Sequence, residues 1–88
     1  MARVKVPGMN REHRVLLYAL STCPWCRRMK KFLKDSGIEY EYIDVDLETE
    51  EERQKIRRFV LSYPLTIVDN KTIVDGYNED KIREALGI

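Results

Sequence analysis

Cysteine, histidine and long apolar runs are what this 88-residue sequence has least of. It carries two cysteines and one histidine, and two cysteines do not complete a tetrahedral zinc or iron–sulfur site. No apolar run approaches the ~20 residues of a membrane-spanning helix. The N-terminal "MARVKVPGMNREH" lacks the hydrophobic core of a secretory signal. An excess of one charge is missing too: 16 Lys and Arg against 15 Asp and Glu leave a formal +1, with no basic run interleaved with aromatics. That balance excludes the electrostatic footprint of a nucleic-acid binder. A cytoplasmic protein is expected, with neither membrane nor nucleic acid as a partner. At this length a single domain can build a modest core without needing disulfides or a metal.

What the sequence does have is "LSTCPWCRRMKKFL", Leu20 to Leu33, which holds both cysteines, Cys23 and Cys26. Such a pair is open to three readings: a disulfide staple, half of a metal site, or a reactive dithiol. A structural disulfide suits a reducing cytosol poorly, and one closing so small a loop would restrict the unfolded chain little. A metal centre would require the chain to dimerise or to borrow ligands.

The surroundings favour the dithiol. Before it, "RVLLYAL" (Arg14 to Leu20) is a continuous apolar run that reads as a buried strand. After it, Cys26, Met29, Phe32 and Leu33 recur at helical spacing between basic residues, and Gly37 follows as a natural stop. This predicts an amphipathic helix from Pro24 to Ser36. Proline is tolerated in a first helical turn, so Cys23 falls at the strand-to-helix corner.

The rest of the chain continues in short elements. "EYEYIDVDL" alternates and runs through Ile43, Val45 and Leu47 as a second strand, which with the first makes a right-handed βαβ unit. "TEEERQKIRRFVL" opens with a capping box, Thr49 with Glu52, and carries an apolar stripe of Ile56, Phe59 and Val60. "SYPLTIVDNKTIVDGY" reads as a hairpin, Leu65 to Val68 and Thr72 to Val74, around Asp69-Asn70-Lys71. "NEDKIREALGI" closes the chain as a helix, with Asn78 as N-cap, Tyr77 and Ile82 as a hydrophobic staple, and Gly87 at its end. The order is β-α-β-α-β-β-α over residues 14–88, without repeat or linker. Residues 1–13 read as a tail, or as a short extra edge strand from the alternation of Val4 and Val6 with Arg3 and Lys5; the tail is slightly favoured.

A Cys-Pro-aromatic-Cys pair between first strand and first helix, Pro64 before a strand and Gly76 before the last helix together resemble the glutaredoxin family of the thioredoxin fold, over nearly the whole chain from Arg14. The resemblance implies an α/β fold with a four-stranded mixed sheet, order 2-1-3-4, flanked by three helices. It also implies that Pro64 is cis and lies against the dithiol, with Ser62-Tyr63-Pro64 where the family usually has Thr-Val-Pro. The departures are as informative. Leu20 stands where many glutathione-using members carry a Lys, and the family's Gly-Gly appears as Asp75-Gly76, followed by Asn78-Glu79. A glutathione carboxylate loses a cation and gains a neighbouring anion. The chain is therefore similar to the glutaredoxin-like redoxins of the NrdH type, which act as small thioredoxins and include electron donors to ribonucleotide reductase. The alternatives are a glutathione-dependent glutaredoxin and a dimeric [2Fe–2S]-binding one.

Thiol–disulfide exchange needs a thiolate, and a helix N-terminus favours negative charge. Cys23 is the expected nucleophile, and Cys26, one turn into the helix, the resolving thiol. Pro24, Trp25, Arg27, Tyr63, Pro64, Gly76 and Tyr77 are the candidate substrate-contacting residues, Arg27 also being a candidate for tuning the thiolate. Arg28, Lys30 and Lys31 read as an ordinary solvated helix face, Tyr18, Tyr40 and Tyr42 as sheet packing, and His13 as neither catalyst nor ligand. No cofactor beyond a redox-active Cys23–Cys26 disulfide and no metal are expected. The expected partners of this monomer are disulfide-containing proteins and a thioredoxin-type or ferredoxin-linked reductase.

Overall fold

The computed structural model describes residues 3–88, and its first element corrects the preference for a tail. Val4–Val6 form a strand, β1. It pairs antiparallel with a later strand in the register Val4 with Tyr42, Lys5 with Glu41 and Val6 with Tyr40. Cross-strand charges follow that register, with Arg3 3.8 Å from Glu41 and Lys5 4.0 Å from Glu39. The chain then passes so close to the 37–39 backbone that a Cβ on Gly8 would sit 2.6 Å from the Glu39 nitrogen, so only glycine fits. Backbone bonds from the Asn10 amide to the Gly37 carbonyl, 2.8 Å, and from the Glu39 amide to the Asn10 carbonyl, 2.9 Å, fix the connection.

The expected elements follow. β2 is Val15–Ala19, α1 Pro24–Asp35 and β3 Tyr40–Asp44. α2 is Glu50–Arg57, β4 Leu65–Val68, β5 Thr72–Asp75 and α3 Glu79–Leu86. β2 is central, parallel to β3 and antiparallel to β4, and β5 pairs with β4, giving a five-stranded sheet ordered β1-β3-β2-β4-β5. The expected four-strand order is intact within it, and the extra strand is added outside β3. The fold is thioredoxin-like.

Alternation along β2 divides the core between two faces. Leu17 and Ala19 meet Met29 and Leu33 of α1 and Ile82 and Leu86 of α3, all buried. Tyr18 turns the other way, to Ile43, Ile56, Val60 and Leu65. The predicted stripe of α1 is buried throughout, and Asn78 caps α3 by accepting the Lys81 amide at 3.1 Å. Asp69 and Asn70, at φ 56° and 59°, make the tight turn between β4 and β5.

Two segments differ from expectation. The second predicted strand stops at Asp44, and Val45–Leu47 form a 3₁₀ turn that leaves Leu47 exposed. The stripe read through Phe59 also breaks, because α2 ends at Arg57. Phe59 lies beyond it, half-exposed, with its ring edge-on to Tyr18 at 5.4 Å.

Candidate active site

The end of β2 and the start of α1 build the site. Cys23 is the N-cap of α1 in extended conformation, with Pro24 starting the helix. Its sulfur does what a capping oxygen does elsewhere: Sγ accepts a hydrogen bond from the Cys26 amide at 3.3 Å. A negatively charged sulfur at this position gains from that bond and from the helix dipole. Cys26 lies fully buried on the inner face of the same turn, whereas Cys23 is partly exposed, and both thiols are free. Burial, with the hydrogen bond to Cys23 adding to it, pushes the Cys26 thiol up to about 12. A bond involving the Leu20 backbone and the charge of Lys30 pull the other way.

The loop before Cys23 is held from the neighbouring parallel strand. Asp46, in the 3₁₀ turn after β3, accepts the Ser21 amide at 2.8 Å and also the Ser21 hydroxyl. Those two bonds hold its carboxyl below the usual carboxylate range. Sequence reasoning missed Asp46; the available signal was an acid just past the C-terminal end of a parallel strand, where α/β sheets place their functional crevices.

The Tyr63–Pro64 peptide is cis, as the resemblance implies. The Pro64 carbonyl accepts the Gly76 amide at 2.8 Å, and Gly76 has φ 70°, which favours glycine at this turn into α3. Tyr63 borders both halves of the core, and burial raises its phenol, with the neighbouring Cys26 charge among the lesser causes. Trp25 is 52% exposed and faces Tyr77, ring centroids 5.6 Å apart, while the Arg28 guanidinium lies 4.7 Å from the Trp25 centroid. Cys23, Tyr63 and Tyr77 thus pack against one buried cluster, and Pro24, Trp25, Pro64 and Gly76 flank them.

The cations are arranged differently from expectation. Arg27 donates to the Ser21 carbonyl at 3.4 Å and braces the loop. The cation that acts on Cys26 is Lys30, one turn further along α1, paired with Asp44 at 2.9 Å and 4.0 Å from the Tyr42 ring centroid. Arg28 and Lys30 are therefore not merely a solvated face. The signal for Lys30 was its i+4 spacing from Cys26. Beside Leu20 a cavity of about 290 Å³ is lined by Val45, Asp46, Arg53, Arg57 and Tyr63. Arg53 is engaged with Glu50 and with the Asp46 and Glu48 carbonyls, whereas the Arg57 side chain makes no hydrogen bond or ion pair among the described residues. His13 lies elsewhere, 2.7 Å from Asp69. Among the described residues no three His, Cys, Asp or Glu side chains converge as a metal-ligand set.

Comparison with known proteins agrees with this geometry. The glutaredoxin family model matches residues 15–73. A glutaredoxin-like 8.6 kDa protein from the rubredoxin operon of Clostridium pasteurianum is 30% identical over 70 residues, 77% of this chain and 91% of the relative. The crystal structure of Methanosarcina acetivorans methanoredoxin superposes with a TM-score of 0.77 at 42% identity, covering 85% of each chain. That of a glutaredoxin from Methanosarcina mazei Go1 gives 0.81 at 40% identity, covering 98% of this chain and 88% of the other. With a helix-capping dithiol, a cis Tyr63–Pro64 peptide and a family match across most of its length, this chain belongs to the glutaredoxin family of thiol–disulfide redox proteins.

Proposed function

We propose that the chain is a dithiol redoxin that reduces disulfides of partner proteins through Cys23 and Cys26. The observation that carries this reading is the asymmetry of the pair: a partly exposed Cys23 sulfur receiving the amide of a fully buried Cys26. The Cys23 thiolate attacks one sulfur of the substrate disulfide, forming a mixed disulfide and expelling one substrate thiolate, which takes up a proton. Cys26 then loses its proton and attacks Cys23 Sγ. The second substrate thiolate leaves, the Cys23–Cys26 disulfide forms, and two electrons have passed to the substrate. A reductase of the thioredoxin or ferredoxin-linked type returns those electrons, and ribonucleotide reductase is a fitting acceptor. Pro24, Trp25, Arg27, Tyr63, Pro64, Gly76 and Tyr77 form the rim on which a substrate rests, Trp25 supplying its apolar face and Arg27 bracing the loop. The protein works as a cytoplasmic monomer without further cofactor.

Glutathione is a poor reductant in this reading. Leu20 offers its carboxylate no cation, Asp75 opposes it, and losing a charge-assisted hydrogen bond costs about 1.5–3 kcal/mol, roughly tenfold to hundredfold in affinity. One observation favours the glutathione-dependent alternative: Arg57, without a hydrogen bond or ion pair among the described residues, lines the cavity beside Leu20 and Tyr63. Reduction of insulin with glutathione and with a dithiol in parallel distinguishes them. The redoxin reading expects fast turnover with the dithiol, slow turnover with glutathione, and a selective rise in the glutathione rate on Leu20→Lys. Equal rates for the unaltered chain, lost on Arg57→Ala, establish the alternative.

A further inference from the structure

The sheet is covered unevenly at the end remote from the dithiol. The ladders place Lys5, Glu41, Leu16, Ile67 and Ile73 side by side in one row on the α2 side. Leu16 and Ile67 are only half-buried, and Ile73 is 60% exposed. Over this row opens a cavity of about 340 Å³, within the size range of small-molecule sites. Leu16 and Ile67 belong to its apolar lining, and Arg3, Lys5, Arg11 and Arg14 to its charged lining.

The charges do not cancel. Four permanent cations face two lining carboxylates, Glu39 and Glu41, so two positive charges are left over. Asp69 at the edge is engaged by His13 at 2.7 Å and by the Arg14 amide at 2.9 Å. The pairs to Glu41 and Glu39 are long, 3.8 and 4.0 Å, and such exposed pairs contribute little. The side chains of Arg11 and Arg14 have no hydrogen-bond or ion-pair partner among the described residues. Guanidinium groups are the side chains best shaped to take a phosphate or carboxylate through paired donors.

We propose that this end of the sheet binds a small dianionic ligand with an apolar or aromatic body, a phosphate monoester being the simplest chemistry of that kind. Arg11 and Arg14, the two guanidiniums without a partner among the described residues, match the two charges of a dianion, and the Leu16–Ile67 surface takes the body. The rest of β2, Leu17–Ala19, about 10 Å at 3.3–3.4 Å per residue, and the 20–22 loop separate the cavity from Cys23, so binding does not obstruct the thiols.

The test is amide-resolved NMR titration of the full chain at low ionic strength with phenyl phosphate, inorganic phosphate and a poly-glutamate peptide. Saturable shifts around residues 11–16 and 67–70 with phenyl phosphate, tighter than with inorganic phosphate, are expected. Arg11→Ala combined with Arg14→Ala, both exposed and unpartnered, should weaken binding about tenfold or more while leaving insulin reduction unchanged. Unchanged affinity in that variant, or no saturable binding, overturns the site. Inorganic phosphate binding as tightly as phenyl phosphate overturns the apolar subsite. A poly-glutamate peptide that outcompetes phenyl phosphate overturns the small ligand in favour of protein docking.

Discussion

The two ends of strand β2 differ in how they treat charge and cover. At the redox end, core lies on both faces, the polar groups around the Cys23 loop are bonded internally although Arg57 nearby is not, and the Cys23 thiol is left partly open. Ser21 is bonded to Asp46, Arg27 to the Ser21 carbonyl, and Lys30 to Asp44. At the other end one face is half open and Arg11 and Arg14 are unpaired among the described residues. Reactivity at a sulfur needs a rigid backbone amide and a buried second thiol, so it is built where packing is continuous; charge-based recognition needs free cations, so it is left where packing stops.

The largest effect that sharpens this contrast is in the core. Leu17→Ala empties a fully buried position between α1, α3 and the sheet and should destabilise the fold by about 2–5 kcal/mol, read from the urea unfolding midpoint. Asp46→Ala comes next. It removes both bonds that hold the Ser21 loop, and misplacing Cys23 by even a fraction of an ångström should lower insulin reduction by about tenfold to hundredfold with the fold retained.

A smaller effect follows from the Cys26 thiol. Its proton is held from 9.0 up to about 12 in the folded state, so the unfolded chain loses that proton first as pH rises. The contribution is fully present below pH 9 and is lost between there and about 12. Unfolding titrations should show stability falling over that window in the reduced protein and falling less in Cys26→Ser. The smallest effect belongs to the open end: Leu16→Ala, at a half-buried site, should cost about 1 kcal/mol. A loss equal to that of Leu17→Ala would erase the difference between the two faces.

What was legible in the sequence was local. The stripe Cys26, Met29, Phe32 and Leu33, the Asn78 cap and the Asp69–Asn70 turn each depend on a few neighbouring residues, and each is present. What was not legible needed partners distant in sequence. Val4–Val6 is a strand only because Tyr40–Tyr42 offers a free edge. Val45 and Leu47 alternate like a strand, yet the chain turns there and brings Asp46 under Ser21. Phe59 kept helical spacing after the helix had ended. At the site, Cys23, Cys26 and Pro64 were marked by residue type and spacing. The roles of Arg28 on Trp25 and Lys30 on Asp44 required the folded contacts.

The central claim is the division of labour between a nucleophile capping α1 and a buried resolving thiol. It is tested most directly by trapping: each single variant, Cys23→Ser and Cys26→Ser, is exposed to an activated protein disulfide and the mixed disulfide is identified by mass spectrometry. The account predicts that Cys26→Ser accumulates a stable adduct on Cys23 and that Cys23→Ser captures no substrate and reduces no insulin. Capture of substrate by Cys26 in the Cys23→Ser protein, with none by Cys23 in the other, would contradict it.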